Sequence, residues 1–200
     1  MNRGDYNGKY ISLGDNPSWS LISGYAIARA ELSRVGADKN LRALEMDMTS
    51  VVTIVEIRPD DCDGNQFDYK SNTIFWSPER GSIRQVDLED SSLGTYTSSP
   101  VEGLQHEADH GQKYNSNKEE YIKDLNTEDE QFKNKEERRV VTGSEQETAR
   151  ALGKIIDGQV TRKHHMGGKT IRVSDPLSTT PLEVFPPTII LPEFQATLKK

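Results

Sequence analysis

The residues best suited to chemistry in this chain are His106, Glu107 and His110, in the run Ser99-Pro100-Val101-Glu102-Gly103-Leu104-Gln105-His106-Glu107-Ala108-Asp109-His110. The two histidines stand one helical turn apart, so on a helix both imidazoles leave from the same face. Neutral imidazoles at that spacing suit a tetrahedral zinc ion, and Glu107 beside them is placed to take a proton from an attacking water. The residues ahead of the motif predict the helix it needs. Ser99 suits the N-cap, Pro100 the first helical position, and Glu102 completes a Ser-x-x-Glu capping box. Val101, Leu104 and Ala108 supply an apolar side.

A catalytic zinc needs a third protein ligand and leaves a fourth position for water. The single cysteine, Cys62, excludes a cysteine cluster and an internal disulfide, and Gln112 to Gly143 contains neither Cys nor His. A carboxylate from the next helix is therefore expected. Thr127 and Glu130 form a second capping box, Phe132, Val140 and Val141 mark an inward face, and Gly143 is a plausible stop. Glu136 lies one turn after Phe132 and one before Val140, while Glu137 lies one turn before Val141. Both aim inward, so the metal set reads His106, His110 and either Glu137 or Glu136.

Other elements must position these groups. Leu21, Ile22, Tyr25, Ala28, Leu32 and Val35 recur at helical spacing, with Ser18 or Ser20 to start the helix and Gly36 to end it. Val51 to Ile57 is a β-branched run stopped by Pro59, and Thr73-Ile74-Phe75-Trp76 reads as its partner strand. Between them, Asp60 to Asn65 fails the calcium-loop pattern, which puts Asn72 where a glutamate is needed, and reads as a solvated turn. Arg80-Gly81-Ser82 looks like a turn before a short strand at 83–86. Residues 87–98 read as a polar loop, 115–127 as charged surface, 145–152 as a further helical turn or two, and 171–173 as a short strand. The expected fold class is α+β, with a small, mostly antiparallel sheet packed on the His helix and on a following Glu-bearing helix. The expected divisions are a flexible arm at 1–17, a domain at 18–165, and a Pro/Gly-containing extension at 166–200. That extension, with the apolar Thr188 to Leu191, is expected to lie on the domain surface.

Two hundred residues suffice for one domain, and 33% apolar content implies a small core. The net charge of −7 argues against nucleic acid as the main partner and against simple attachment to anionic lipid. No run reaches the length of a membrane span. Met1 to Tyr6 lacks an apolar stretch after its charge, so no signal peptide is read there. The expectation is a protein that stays in the cytoplasm of its producer or leaves through a specialised secretion system.

Ser98-Ser99-Pro100 before Leu104-Gln105-His106-Glu107-Ala108-Asp109-His110, then Glu136-Glu137-Arg138-Arg139-Val140-Val141, then Glu147-Thr148-Ala149-Arg150-Ala151-Leu152-Gly153, resembles the NleD-like effector metallopeptidases. These are bacterial zincins, injected as effectors or carried as toxin domains of larger secreted proteins. The upstream layout is similar too: a helix around Gly24, then strands, then Ile74-Phe75-Trp76-Ser77-Pro78. The resemblance implies a minimal zincin-like fold with one zinc ion per chain, and a gluzincin-type endopeptidase acting on a protein or peptide substrate. It also implies an immunity protein or secretion machinery as further partners.

It implies roles as well. His106 and His110 would hold zinc with one of Glu136 and Glu137, Glu137 being slightly favoured, and Glu107 would be the general base. His165, following Arg162 where relatives often place a Tyr, is the expected oxyanion stabiliser. Glu145, Glu147 and Arg150 are expected to orient the metal-binding imidazoles. Asp109 puts a charge where such helices usually carry an apolar residue, which predicts a less buried helix. Thr73 to Trp76 is the expected edge strand along which a substrate would lie. Two other functions fit the same residues: a catalytically silent binding module, and a metal-dependent hydrolase of a non-protein amide.

Overall fold

The computed structural model describes residues 11–166 and 168–185; the apolar tail at 188–191 lies outside them. The chain is α+β, and its described residues open on a strand at 11–12, within the span expected to be a flexible arm. β1 (Ile11–Ser12) pairs in parallel with β2 (Val52–Glu56), and Ile11 and Leu13 pack on the core. α1 (Trp19–Val35) starts where a hydroxyl can cap it. Ser18 Oγ accepts from the Leu21 amide at 2.9 Å, and Gly36 ends the helix in the left-handed region at φ 73°. Its buried stripe of Leu21, Gly24, Ala28 and Leu32 agrees with the expected spacing at Leu21, Ala28 and Leu32, while Tyr25 and Val35 are half-buried and Ile22 is exposed. Gly24 is required by packing, because a Cβ there would stand 2.4 Å from Pro78 Cβ.

α2 (Lys39–Met46) was not expected; it buries Leu41 and Leu44. β3 (Gln66–Asp68) and β4 (Thr73–Trp76) complete the first sheet in the order β1-β2-β4-β3. Only β3–β4 is antiparallel in it; β2 runs parallel to both β1 and β4. The expectation of a mostly antiparallel sheet beside the His helix is therefore wrong for this sheet. β4 is buried on both faces at Thr73, Ile74 and Trp76, as in a covered parallel sheet, while β2 buries Val52 and Ile54 on one face only. β4 is also internal, so the edge strands are β1 and β3 and not Thr73 to Trp76.

The second sheet is wholly antiparallel, in the order β10-β9-β5-β6. β5 (Arg80–Gln85) takes in the residues expected to turn, and β6 (Thr95–Ser98) follows a short 3₁₀ turn at Ser91–Leu93 inside the expected loop. β9 (Lys169–Arg172) pairs with β5 on one side and β10 (Glu183–Phe185) on the other. The described residues between 168 and 185 are thus part of the domain through this sheet. Ile171 and Val173 are buried, and the Pro176 carbonyl accepts from the Val101 amide at 2.9 Å.

α3 (Pro100–Ser116) carries the His-Glu-x-x-His motif and packs against α1, α2 and β4. The Ser99 amide donates to Glu102 Oε2 at 2.7 Å, as the capping box requires. Trp76 Nε1 donates to the Pro100 carbonyl at 2.8 Å, which ties the first sheet to the start of this helix. Leu21, Leu32, Leu41, Leu44, Ile54, Ile74, Trp76, Val101 and Leu104 meet in one core. Each such side chain stabilises by about 1.5–3 kcal/mol on burial, so α3 is held rigidly on its apolar side.

The rest of the chain wraps the polar side of α3. α4 (Lys118–Leu125) lies in the segment expected to be plain surface and buries Tyr121. β7 (Glu128–Asp129) and β8 (Lys133–Asn134) form a small hairpin where the second helix was expected to begin. Asp129 Oδ1 takes the Gln131 and Phe132 amides at 3.0 Å, so a turn wins over the Thr127 capping box. The helix itself is α5 (Lys135–Thr142), capped by Asn134, whose Oδ1 accepts from the Glu137 amide at 2.8 Å. α6 (Ser144–Ala151) follows directly after Gly143. No helix among the described residues is long and apolar enough to cross a membrane.

Candidate metal centre

His106 and His110 leave α3 on the face turned away from the core, toward α5 and α6. Each ring is held at Nδ1 by a carboxylate. Glu145 Oε2 lies 3.1 Å from His106 Nδ1, and Glu136 Oε1 lies 2.9 Å from His110 Nδ1. An ionised carboxylate only accepts, so Nδ1 carries a proton, and whenever the ring is neutral its Nε2 lone pair is left free.

Those two Nε2 atoms face each other at 3.3 Å. Glu137, on the first turn of α5, brings Oε2 to 3.4 Å from His106 Nε2 and Oε1 to 3.5 Å from His110 Nε2. Ligand atoms about 2.0–2.1 Å from a tetrahedral zinc stand about 3.3–3.4 Å from one another. His106, His110 and Glu137 therefore form a possible metal-binding group whose spacing is compatible with zinc. Glu137 Oε2 is buried without a satisfying hydrogen bond, as a ligand oxygen would be.

The two glutamates that the sequence left open have different neighbours. Glu136 is fully buried and is gripped by Arg139, whose Nε and Nη2 donate at 2.9 and 2.7 Å. Arg139 Nη1 in turn donates to Asp109 Oδ1 at 2.8 Å, and the Ser144 hydroxyl donates to Asp109 Oδ2. Asp109 thus lies buried in an ion-paired chain, and the less buried helix expected from its charge is not found. On the other histidine, Glu145 is held by Arg162 through Nε at 3.0 Å and Nη2 at 2.6 Å, and by the Thr161 hydroxyl at 2.6 Å. Both rings end in the same sequence of contacts: imidazole, carboxylate, guanidinium.

Of the residues expected to orient the imidazoles, only Glu145 does so. Glu147 and Arg150 are exposed, the latter facing Asp157. Gln146, noted only as a departure from the family pattern, clamps the loop instead: its Nε2 donates to Thr161 Oγ1, and its Oε1 accepts from the Thr161 amide, both at 2.8 Å. That clamp sets Arg162 against Glu145. The loop then presents His165, whose Nε2 lies 3.3 Å from Glu137 Oε2 with the side chain 31% exposed. His164 faces away and bonds the Gln85 carbonyl at 3.1 Å.

The electrostatics favour positive charge between the rings. Burial disfavours the imidazolium of both His106 and His110, but the carboxylates of Glu136, Glu137 and Glu145 outweigh it and raise both rings. Burial also opposes charge on Glu137, yet the imidazoles of His106, His110 and His165 around it hold its carboxyl far below the usual range. Glu107 differs: burial pushes it up, against the pull of the two histidines. A carboxyl whose proton affinity is raised suits a general base.

These groups line a cavity of about 430 Å³. β3 and its preceding turn form one wall through Asn65, Gln66 and Phe67, and Tyr121 of α4 closes a corner. Asp61, Cys62 and Asp63 also bring ligand-type atoms together, but they lie in the solvated turn. Contributors to the site missed in the sequence include Asn134, Tyr121, Thr161 and Arg84. Asn134 was visible as an Asn-x-x-Glu start; nothing marked Arg84. No family model, curated protein or solved structure matches the chain.

Proposed function

We propose that this protein is a zinc-dependent endopeptidase of the gluzincin type, an effector or toxin domain resembling the NleD-like metallopeptidases. The observation that carries the reading is the equal spacing of His106 Nε2, His110 Nε2 and Glu137, at 3.3–3.5 Å, beside a buried Glu107. His106, His110 and Glu137 would hold the ion, which when bound supplies Lewis acidity to a scissile carbonyl and acidifies water.

The chain's own residues do the rest. Glu107 takes the proton of the attacking water and returns it to the leaving amine. His165, on the rim, donates a hydrogen bond to the oxyanion of the tetrahedral intermediate. Glu136 and Glu145 fix the rings of His110 and His106, and Arg139 and Arg162 keep those carboxylates ionised. Edge strand β3 offers backbone groups for an extended substrate to pair with, beside Phe67 and Gln66.

The test is zinc content by mass spectrometry together with cleavage of a proteome-derived peptide library. About one zinc per chain is expected, with cleavage that disappears in Glu107→Gln while the zinc remains. Absence of bound zinc at micromolar supply would overturn the reading. Stoichiometric zinc without cleavage of any peptide would favour a binding module.

A further inference from the structure

β5 brings a second kind of chemistry to the same cavity. Its two-residue period puts Arg80, Ser82 and Arg84 on one face, and that face lines the cavity opposite α3. Arg80 is fully engaged: Nη1 donates to the Pro59 and Asp61 carbonyls at 2.9 and 2.6 Å, and Nη2 to Thr170 Oγ1 at 2.9 Å. Arg84 is not. Among the described residues its guanidinium makes one hydrogen bond, Nε to Ser82 Oγ at 3.2 Å, and no ion pair.

Arg162 stands close enough to Arg84 to oppose its charge. Arg162 gives Nε and Nη2 to Glu145, but its Nη1 is buried without a partner although the side chain is only 5% exposed. Two guanidiniums, Arg162 buried and Arg84 half-buried, thus share one wall of the cavity with donors unspent. Burial, then the Arg162 charge, push the Arg84 guanidinium down to about 10. An unpaired charge in such a place is costly, and the planar forks of two guanidiniums match a carboxylate.

We propose that Arg84, with the spare Nη1 of Arg162, forms a subsite for a substrate carboxylate, so that the enzyme selects peptides carrying an acidic group next to the scissile bond. The subsite is part of the peptidase reading above and gives it a substrate class. The carboxylate has two possible sources, an Asp or Glu side chain or the free carboxyl end of a chain.

The experiment is cleavage profiling of the zinc-loaded full chain on acetylated, amidated peptides and on the same peptides with free carboxyl ends. Arg84→Gln and Arg84→Glu are run beside the wild type. Charge-assisted hydrogen bonds of this kind contribute about 1.5–3 kcal/mol, roughly ten- to a hundredfold in rate. The wild type is expected to prefer Asp or Glu at one flanking position by at least about tenfold over Asn or Gln. Arg84→Gln should lose that preference and Arg84→Glu should turn it toward Lys or Arg. Cutting confined to free carboxyl ends, and lost in Arg84→Gln, supports the subsite with the chain end as the source. Cleavage without acidic preference, or a preference unchanged in Arg84→Gln, overturns the subsite and leaves the peptidase reading intact.

If no peptide is cut, the peptidase reading fails and binding decides the subsite separately. Glutarate and acetate are titrated calorimetrically into zinc-loaded protein. An advantage of glutarate over acetate of about tenfold or more that vanishes in Arg84→Gln supports it. Equal glutarate affinity in the two proteins overturns it.

Discussion

His106 Nε2 and His110 Nε2 stand 3.3 Å apart with their opposite ring nitrogens each tied to a carboxylate. When both rings are neutral, their two Nε2 lone pairs face each other and repel. The arrangement persists because α3 fixes the backbones and the Glu136–Arg139 and Glu145–Arg162 pairs fix the rings. The site is therefore compatible with a ligand that accepts electron pairs.

Glu136 and Glu137 are adjacent in sequence and should separate cleanly by metal affinity. Glu137→Gln removes a ligand oxygen and should abolish stoichiometric zinc. Glu136→Gln leaves the three ligand atoms in place but weakens the hold on His110, and should cost about 10–100-fold in affinity. Chelator competition measures both. Equal losses would mean that Glu136 also reaches the metal.

Asp109 and Arg139 test the buried network. Asp109→Ala leaves Arg139 facing Glu136 with one partner fewer and strands the Ser144 hydroxyl. Arg139 is one-third exposed and partly solvated, so the cost should fall toward the low end of the range for breaking a buried pair, about 3 kcal/mol. Urea unfolding gives the number. A loss below about 0.5 kcal/mol would show that the pair acts like an ordinary surface bridge.

Glu136 also gives the pH dependence of stability. Burial raises its pKa, but Arg139 and His110 prevail and bring it down to about 2 in the folded chain, against the ordinary 4.5 when unfolded. The folded state thus holds its carboxylate more firmly. The stabilisation is fully present above pH 4.5 and is lost as pH falls from there toward 2. Urea midpoints of chelator-treated protein should fall across that window, and Glu136→Gln should flatten the fall.

The parts of this molecule that were legible beforehand share one property: their signals are local. The Ser99 capping box, the His106–His110 spacing, and the Ser18 and Gly36 ends of α1 depend on residues within one or two turns. The unread parts depend on distant pairing or on polar walls. β5 reads Arg80-Gly81-Ser82-Ile83-Arg84-Gln85 and shows no apolar alternation, because the face that would be apolar in a core strand lines a polar cavity. β2 and β4 run parallel because β3 intervenes between them, and no short-range pattern encodes that. Asp109 was misjudged by its charge: its partner Arg139 lies on another helix, and burial with a partner was indistinguishable from exposure. Glu136 and Glu137 were both found, but only the Asn134 cap and the Arg139 contact assign them separate places.

Gly24 offers a test of the fold away from the site. Its hydrogen stands where an alanine methyl would meet the Pro78 ring at 2.4 Å, a rigid neighbour that cannot swing aside. α1 would have to move off the loop that follows β4. Gly24→Ala should destabilise by about 1–3 kcal/mol despite alanine's better helix propensity, read as a lower thermal midpoint. An unchanged or higher midpoint would mean that the α1–Pro78 contact yields freely.

His165 decides how the proposed reaction stabilises charge. Its Nε2 reaches Glu137 Oε2 at 3.3 Å from a loop anchored by the bond from the His165 amide to the Gln131 carbonyl at 2.9 Å. The ring is half-buried at the cavity rim, where a donor can follow a growing oxyanion. An interaction made only in the transition state lowers kcat when removed and leaves KM unchanged. His165→Ala should therefore bind zinc as the wild type does and cut the same peptides with kcat down by about 10²–10³. His165→Gln, which keeps a donor, should recover part of the loss. If zinc affinity falls together with kcat, the ring acts by holding Glu137 in place, and the oxyanion must be met by another group.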